Sequence, residues 1–290
     1  MPVFNFRTLI LCGIALVATG CGGGGSPTSP GTEFSCPTPA SGKVTVCGQI
    51  ADVQNDDSLM ATGATGAACG PTPSADGPCS VQIQFYDATA FAANPATATP
   101  IAPAHFDLDD RGRFRAEDLT PPAGGYLAVA VDDAVGTTDR HRLTGVITPV
   151  SAGTDQVLRA YVTRLPTDSG WTISAGLTGS TFAQRGVIAA IFRYQGVGRA
   201  GVTITRSGAP VPADDYYFTD AGPTRTAVDS AGPTGASGGV LLLNSGLVPH
   251  SGTGGEPATC QWPSRPAASI PGVVLVQLMD AQTVASAPCP

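Results

Sequence analysis

Acidic side chains alternate with a histidine in the segment HFDLDDRGRFRAED, which begins at His105. Residues two apart in a strand share one face, so His105, Asp107 and Asp109 would point together, as the ligands of a cation do. Read as a calcium loop, the segment has Asp107 and Asp109 at the first and third positions, but the fifth is Arg111, whose positive charge would lie beside the ion. A turn that uses Asp and Gly for their backbone preferences is favoured, and no metal or cofactor is predicted.

A second candidate is a serine nucleophile at Ser237, within the stretch GASGG. A G-x-S-x-G motif activates its serine where a strand runs straight into a helix. Here VDSAGPT leads in and VLLLN, which is typical of a strand, leads out, so neither flank fits. His250 and Asp229 are only nominal partners for a triad. A glycine-rich hairpin turn is therefore favoured, and no catalytic residue is predicted.

Cys21 stands at the end of an apolar N-terminal run that begins at Leu9. The run is too short to cross a bilayer and, with Arg7 before it, indicates a signal peptide. The tetrapeptide ATGC that ends at Cys21 resembles a bacterial lipobox, with Ala18 in place of the usual leucine. This resemblance implies cleavage before Cys21 and acylation of its thiol, as in palmitate-bearing lipoproteins. The alternative is an ordinary secretory cleavage that leaves Cys21 as a free thiol.

The residues after Cys21 are nearly all Gly, Ser, Pro and Thr, which predicts a flexible tether between a membrane and a folded body. Gly22 stands where an inner-membrane retention signal would resemble Asp, so the outer membrane is the expected location in the cell envelope. A net charge of −7 makes nucleic acid a poor partner. The expected partners are membrane lipid, through the acylated Cys21, and an envelope glycan or protein that the sequence does not identify.

Six of the eight cysteines remain once Cys12 in the signal peptide and the lipidated Cys21 are set aside. An even number in an exported chain predicts three disulfides, and no pair has the spacing of a zinc site. Fifteen connectivities are open. The simplest is local and joins Cys36 with Cys47, Cys69 with Cys79, and Cys260 with Cys289.

The apolar segments of the body are short, rich in Val and Ile, and bounded by Gly, Pro or Asp, which is typical of an all-β chain. The predicted strands are 43–53, 81–86, 113–117 and 126–131 in the first half, and 186–194, 201–206, 240–244 and 273–279 in the second. Similar turns, DLDDRGRF and TGASGGVL, precede the third strand of each half and make Gly112 equivalent to Gly239. The chain is therefore predicted to contain two copies of one β-sandwich.

The glycine turn and the later steps PPAGGYLAVAVDD and SIPGVVLVQLMD resemble the carboxypeptidase regulatory-like, or transthyretin-like, family. The resemblance covers residues 41–133 and 184–284. It implies two tandem Ig/transthyretin-like antiparallel β-sandwiches, each of about seven strands in two sheets. Members of the family are usually non-catalytic modules that support, space or bind. No functional residue carries over, because the matching positions are structural.

These observations divide the chain into a signal peptide (1–20), a lipidated cysteine and tether (21–40), a first sandwich (41–149), a connector (150–183) and a second sandwich (184–290). In the connector, Asp168 or Ser169 is placed to cap a short helix that carries Trp171 and Ile173. We expect Trp171 to pack between the two sandwiches.

The sequence thus predicts a membrane-anchored, non-enzymatic envelope lipoprotein with a structural, adhesion or binding role. One alternative is a carbohydrate- or peptide-binding module, which would need Tyr217, Trp171 or Trp262 in an exposed groove. Strand alternation in DDYYF places Tyr217 outward and its neighbours inward. The other alternative is a serine hydrolase built on Ser237, which would need His250 within hydrogen-bond reach of that serine.

Overall fold

The computed structural model describes residues 35–74, 77–255 and 261–281. The predicted signal peptide, Cys21, most of the tether and the proposed pair of Cys260 with Cys289 lie outside these residues. None of the helices in the described ranges is both long enough and apolar enough to cross a membrane.

The described residues contain seventeen strands, three short α-helices and a 3₁₀-helix at Pro78–Ser80. The first half contains β1 (Val44–Asp52), β2 (Val81–Asp87), α1 (Ala88–Ala93), β3 (His105–Leu108), β4 (Arg113–Leu119), β5 (Tyr126–Asp133), β6 (His141–Arg142), β7 (Thr144–Pro149) and β8 (Asp155–Arg164). The second contains α2 (Leu165–Ser174), α3 (Phe182–Arg185), β9 (Val187–Tyr194), β10 (Val197–Gly198), β11 (Val202–Arg206), β12 (Asp215–Phe218), β13 (Val228–Asp229), β14 (Gly239–Leu242), β15 (Val248–Gly254), β16 (Arg265–Ala267) and β17 (Val274–Asp280). All eight predicted strands are confirmed to within two residues.

Each half contains the same arrangement of seven strands. In the first, the sheet β3-β4-β1-β8 packs on the sheet β2-β5-β7, and in the second, β12-β14-β9-β17 packs on β11-β15-β16. The all-β prediction is confirmed. The expected antiparallel pairing holds for most neighbours, but β8 runs parallel to β1, and β17 runs parallel to β9. The last strand of each repeat lies beside the first, and the long chain between them allows the parallel direction.

Strand β8 lies within the segment predicted as a connector. It pairs with β1 from Thr45 opposite Asp155 to Asp52 opposite Val162, so it is the seventh strand of the first repeat. Between the repeats lie α2 and α3. Helix α2 starts at Leu165, after Arg164, and no side chain caps it, so the predicted cap at Asp168 or Ser169 is wrong. The physical reason is that Pro166 fits the first helical turn, which begins the helix earlier than the polar residues suggest.

The two repeats share one sheet because β17 also pairs in parallel with β7 of the first repeat. The order β13-β12-β14-β9-β17-β7-β5-β2 therefore runs through both halves without a break. The sandwich cores cover parts of it, α2 and α3 cover its outer face beside β9, and α1 covers it beside β5. Every residue of β9 is buried as a result, which is why residues 187–192 form a continuous apolar run.

The glycine turns before β4 and β14 are equivalent, but the predicted match is wrong by one residue. The carbonyl of Gly112 accepts a hydrogen bond from the Ile50 amide (2.8 Å), and that of Gly238 accepts one from the Phe192 amide (2.9 Å). Gly112 and Gly238 also share a left-handed backbone, with φ of +73° and +67°. Gly239 is the first residue of β14. A larger residue would not fit there, because a Cβ would lie 2.5 Å from the Phe218 ring.

We predict that Gly112→Ala and Gly238→Ala each destabilise the protein by about 2 to 4 kcal/mol, because positive φ and a steric clash act together. A Cβ would lie 2.4 Å from the Leu59 carbonyl oxygen at Gly112 and 2.2 Å from the Phe192 oxygen at Gly238. Gly153→Ala is the matched control, since its φ is +80° but no atom lies within 4 Å of the added Cβ. Denaturant unfolding measures the free energy of unfolding of the three variants. If Gly153→Ala lost as much stability as the other two, the assignment of the two turns would be contradicted.

Candidate functional site

Two disulfides hold the first repeat, and both agree with the predicted local pairing. Cys36 is bonded to Cys47, and Cys69 is bonded to Cys79. The first bond fastens the chain that follows the tether to the middle of β1. The second closes a loop whose Cys69 amide donates to the Leu108 carbonyl (2.8 Å), which holds the loop against β3.

The predicted metal face is only partly assembled. His105 and Asp107 do share a face of β3, with the His105 Nε2 atom 3.1 Å from Asp107 Oδ2. The third ligand of the cluster is Glu117 on β4, across the strand pair. Arg115 bonds both carboxylates, at 2.5 Å to Asp107 and 2.9 Å to Glu117. Because a guanidinium already occupies the centre of the cluster, the arrangement fits a surface ion-pair network.

Asp109 lies apart from these residues because β3 ends at Leu108 and the chain turns. Its carboxylate is fully buried, pairs with Arg113, and accepts the backbone amides of Arg111 (3.1 Å) and Arg113 (2.9 Å). Burial raises the pKa of Asp109, and these hydrogen bonds oppose that rise. Asp109 therefore shapes the turn, which is the use of Asp favoured by the sequence.

The nominal triad does not assemble. Ser237 is buried in the turn before β14, and its Oγ atom has no hydrogen-bond partner among the described residues. His250 instead bonds Ser245, with 2.9 Å between Nε2 and Oγ. Asp229 is exposed, and its carboxylate accepts the Ala231 amide (3.0 Å). Ser237 is therefore inaccessible to a substrate and has no neighbouring base to activate it, so this arrangement does not support a serine nucleophile.

The aromatic residues considered for ligand binding lie in the core. Trp171, Tyr217 and Trp262 are 1%, 3% and 7% exposed; Trp171 adjoins a surface cavity of about 210 Å³, but none of the three has an exposed ring face on which a ligand could stack. The predicted outward orientation of Tyr217 is wrong, because its ring packs in the core of the second sandwich. Its neighbour Tyr216 packs against Phe182 of α3, so helix packing covers the other face of β12. Alternation could not reveal a strand that is covered on both faces.

A buried arginine joins the two repeats. The Arg225 guanidinium donates to the Val53 carbonyl (2.7 Å) and to the Asp56 carboxylate (2.6 Å), both in the turn after β1. The backbone amide of Arg225 donates to the Gln54 carbonyl (2.8 Å). Its own carbonyl accepts the Trp171 indole N–H (2.6 Å), which confirms that Trp171 packs where the repeats meet.

Asp56 is the acidic centre of this junction. Burial alone would raise the pKa of Asp56, but the Arg225 charge and hydrogen bonds from Arg225 and Tyr161 outweigh burial and lower it. The Tyr161 hydroxyl donates to Asp56 over 2.9 Å, and burial raises the pKa of Tyr161. These partners stand 169 and 105 positions from Asp56 in sequence, and no local pattern identifies them.

No family model and no curated protein matches the chain. Among solved structures, it is similar to a streptococcal ancillary pilin at 9% identity and a TM-score of 0.25, covering 84% of this chain and 63% of that one. It thus spans less than two thirds of that pilin.

Two further structures show similarity at the same level. For a double mutant of the shaft pilin SpaA from Lactobacillus rhamnosus GG, the identity is 12%, the TM-score is 0.22, and the coverage is 84% of this chain and 99% of that one. For a carbohydrate-binding module from Eubacterium rectale in complex with maltoheptaose, the identity is 12% and the TM-score is 0.24. The similarity covers 83% of this chain and 95% of that one. Identities and TM-scores this low provide no basis for assigning a function.

We predict that Arg225→Met lowers the free energy of unfolding by about 2 to 4 kcal/mol, because it removes the counter-ion of the Asp56 carboxylate, which is 22% exposed, and the buried donor to the Val53 carbonyl. Lys43→Gln is the matched control: it also removes a positive charge, but the Lys43 hydrogen bond to Thr120 (3.0 Å) is exposed, so the change should cost less than about 1 kcal/mol. Denaturant unfolding of both variants checks this. Similar losses in the two would show that the junction does not depend on Arg225.

A second prediction concerns pH. Burial, with the nearby Arg206 charge, lowers the pKa of His250 from 6.5 to about 4 in the folded protein. Between these values the unfolded chain binds a proton that the folded chain does not, so stability falls as the pH drops. The loss should approach about 3 kcal/mol near pH 4.

The variant His250→Gln should flatten this part of the stability profile. Asp132 and Asp215, whose pKa values burial raises, act in the opposite direction but are the same in both proteins. The difference between the two profiles, measured by chemical denaturation between pH 6.5 and 4, therefore isolates His250. Parallel profiles would contradict the prediction.

Proposed function

We propose that this protein is a lipid-anchored cell-envelope protein whose two-sandwich body has a structural, adhesive or binding role without catalysis. The acylated residue is Cys21, and the outer membrane is the proposed location. The seven strands of each repeat are consistent with carboxypeptidase regulatory-like modules, and we include that family in the proposal.

The observation that carries the proposal is the disulfide between Cys36 and Cys47. It lies where the Gly/Ser/Pro-rich segment meets the body, and it transfers the attachment from that segment to β1. Strand β1 pairs with β4 on one side and with β8 on the other. A pull on the tether would therefore load a central strand, and the hydrogen bonds to both neighbours would resist it together. A protein tied to a membrane by its N-terminal segment benefits from this connection.

The burial of its titratable groups supports a non-catalytic role. Active sites usually place perturbed groups in accessible clefts. His250, whose pKa falls to about 4, is fully buried against Ser245, and Asp56 is used by Arg225 and Tyr161. Asp56 therefore serves the contact between the repeats, and His250 serves the interior of the second sandwich.

We predict that Cys21→Ser moves the protein from the detergent phase to the aqueous phase in phase separation of whole-cell extracts, and that it abolishes labelling by fatty acid. The reason is that the thiol is the acceptor of the lipid. Cys12→Ser is the matched control, because Cys12 lies within the predicted signal peptide and should leave both results unchanged. Membrane retention and labelling that persist in Cys21→Ser would overturn the proposal.

A further inference from the structure

The strands that join the two repeats separate before they end. Pairing of β7 with β17 covers only Thr144–Val146 and Val274–Val276. Beyond these residues β7 continues to Pro149, paired on its other side with β5, and β17 continues to Asp280, paired on its other side with β9. We call the opening between residues 147–149 and 277–280 the fork; it forms a cleft of about 290 Å³.

The two facing edges of the fork are unoccupied strand edges. Their backbone N–H and C=O groups have no strand partner among the described residues, and such edges accept a further strand. The Gln277 side chain, which lines the cleft, is only 9% exposed, and its Oε1 atom has no hydrogen-bond partner in the described chain. The Gln277 amide donates to the Pro266 carbonyl (3.3 Å), which ties β17 to β16 beside the cleft.

The cleft carries positive charge in an acidic protein. Arg159, Arg193 and Arg265 line it, against one carboxylate, Asp280. The Arg193 side chain is 2% exposed and is held by both oxygens of Asp280 at 3.0 Å. Arg159 donates to the Asp56 carbonyl (2.9 Å), so its position is also fixed. Because Asp280 neutralises the buried Arg193, the excess positive charge at the cleft comes from Arg159 and Arg265, and in a chain of net charge −7 it favours an acidic ligand.

An apolar cavity of about 190 Å³ adjoins the cleft and shares Tyr126, Ile147 and Pro266 with it. Ala88 of α1 and Leu247 complete its wall. Successive side chains of a strand point to opposite faces. A strand lying in the fork would thus have arginine charge and apolar surface both within reach of its side chains.

We propose that the fork binds an extended peptide by β-strand addition, and that this peptide alternates acidic with apolar side chains. Backbone hydrogen bonds to β7 and β17 supply the affinity, and the arginines and the apolar cavity supply the selectivity. The inference specifies the binding role proposed above. It rests on the geometry of the fork and does not require the lipid anchor.

The test uses the purified full-length protein in detergent and a fluorescent eight-residue peptide of alternating valine and glutamate. We expect saturable binding by fluorescence anisotropy, and slower hydrogen exchange of the amides in residues 147, 148 and 277–280. A valine–lysine peptide should not bind. A valine–glutamate peptide N-methylated at alternate residues should lose binding, because it cannot form the backbone ladder. This last comparison uses the unaltered protein and so does not depend on any variant folding.

Arg159→Gln should weaken binding of the glutamate probe about tenfold, which corresponds to the loss of one charge-assisted contact. Arg140→Gln is the matched control: Arg140 is exposed, lies in the loop before β6 and does not line the cleft, so it should change nothing. Absence of saturable binding would overturn the proposal. It would also be overturned if the N-methylated peptide bound equally well, or if Arg140→Gln weakened binding as much as Arg159→Gln, since either result indicates unspecific attraction of charge.

Discussion

The contact between Arg225 and Asp56 is the constraint on which the arrangement of the two repeats depends. The Arg225 guanidinium leaves water and the Asp56 carboxylate does so in large part, so their attraction must offset a desolvation cost. Further bonds help to do so: the guanidinium also binds the Val53 carbonyl, and Tyr161 binds the second carboxylate oxygen. A shift of one residue between β7 and β17 would turn every side chain of one strand to the opposite face. It would also break this buried pair, so the contact selects one register for the shared sheet.

The same constraint explains the burial pattern of the middle of the molecule. Once the repeats are fixed, the outer face of the second four-stranded sheet meets the end of β1, β8 and the two connector helices. It is therefore a second core rather than a solvent face. Trp171 and Phe218 contact each other edge to face there, with 5.3 Å between ring centroids. The helices between the repeats thus contribute side chains to the core between the sandwiches, in addition to linking them.

The sequence predicts the individual strands well and their assembly less well. Short Val/Ile runs and glycine turns locate eight strands, and the similar turns at Gly112 and at residues 235–239 indicate a repeat. These signals are local. The parallel neighbours of β1 and β9 are about a hundred residues away in the chain, and periodicity carries no information about them. Alternation also places Tyr217 on the wrong face, because it presumes a strand with one solvated side. The junction of Arg225 and Asp56 has no sequence signal at all.

The shared sheet has a geometric consequence for growth by duplication. Strand β7 of the first repeat corresponds to β16 of the second, since each is the outer strand of its three-stranded sheet. The first repeat uses that strand to receive β17, whereas β16 pairs only with β15 in the described chain. The edges differ, because Pro266 in β16 has no N–H to donate and its carbonyl already accepts the Gln277 amide (3.3 Å), whereas β7 receives β17 through Thr144–Val146, which has no proline. A proline in the equivalent strand thus acts as a stop that keeps a further strand from extending the second sandwich.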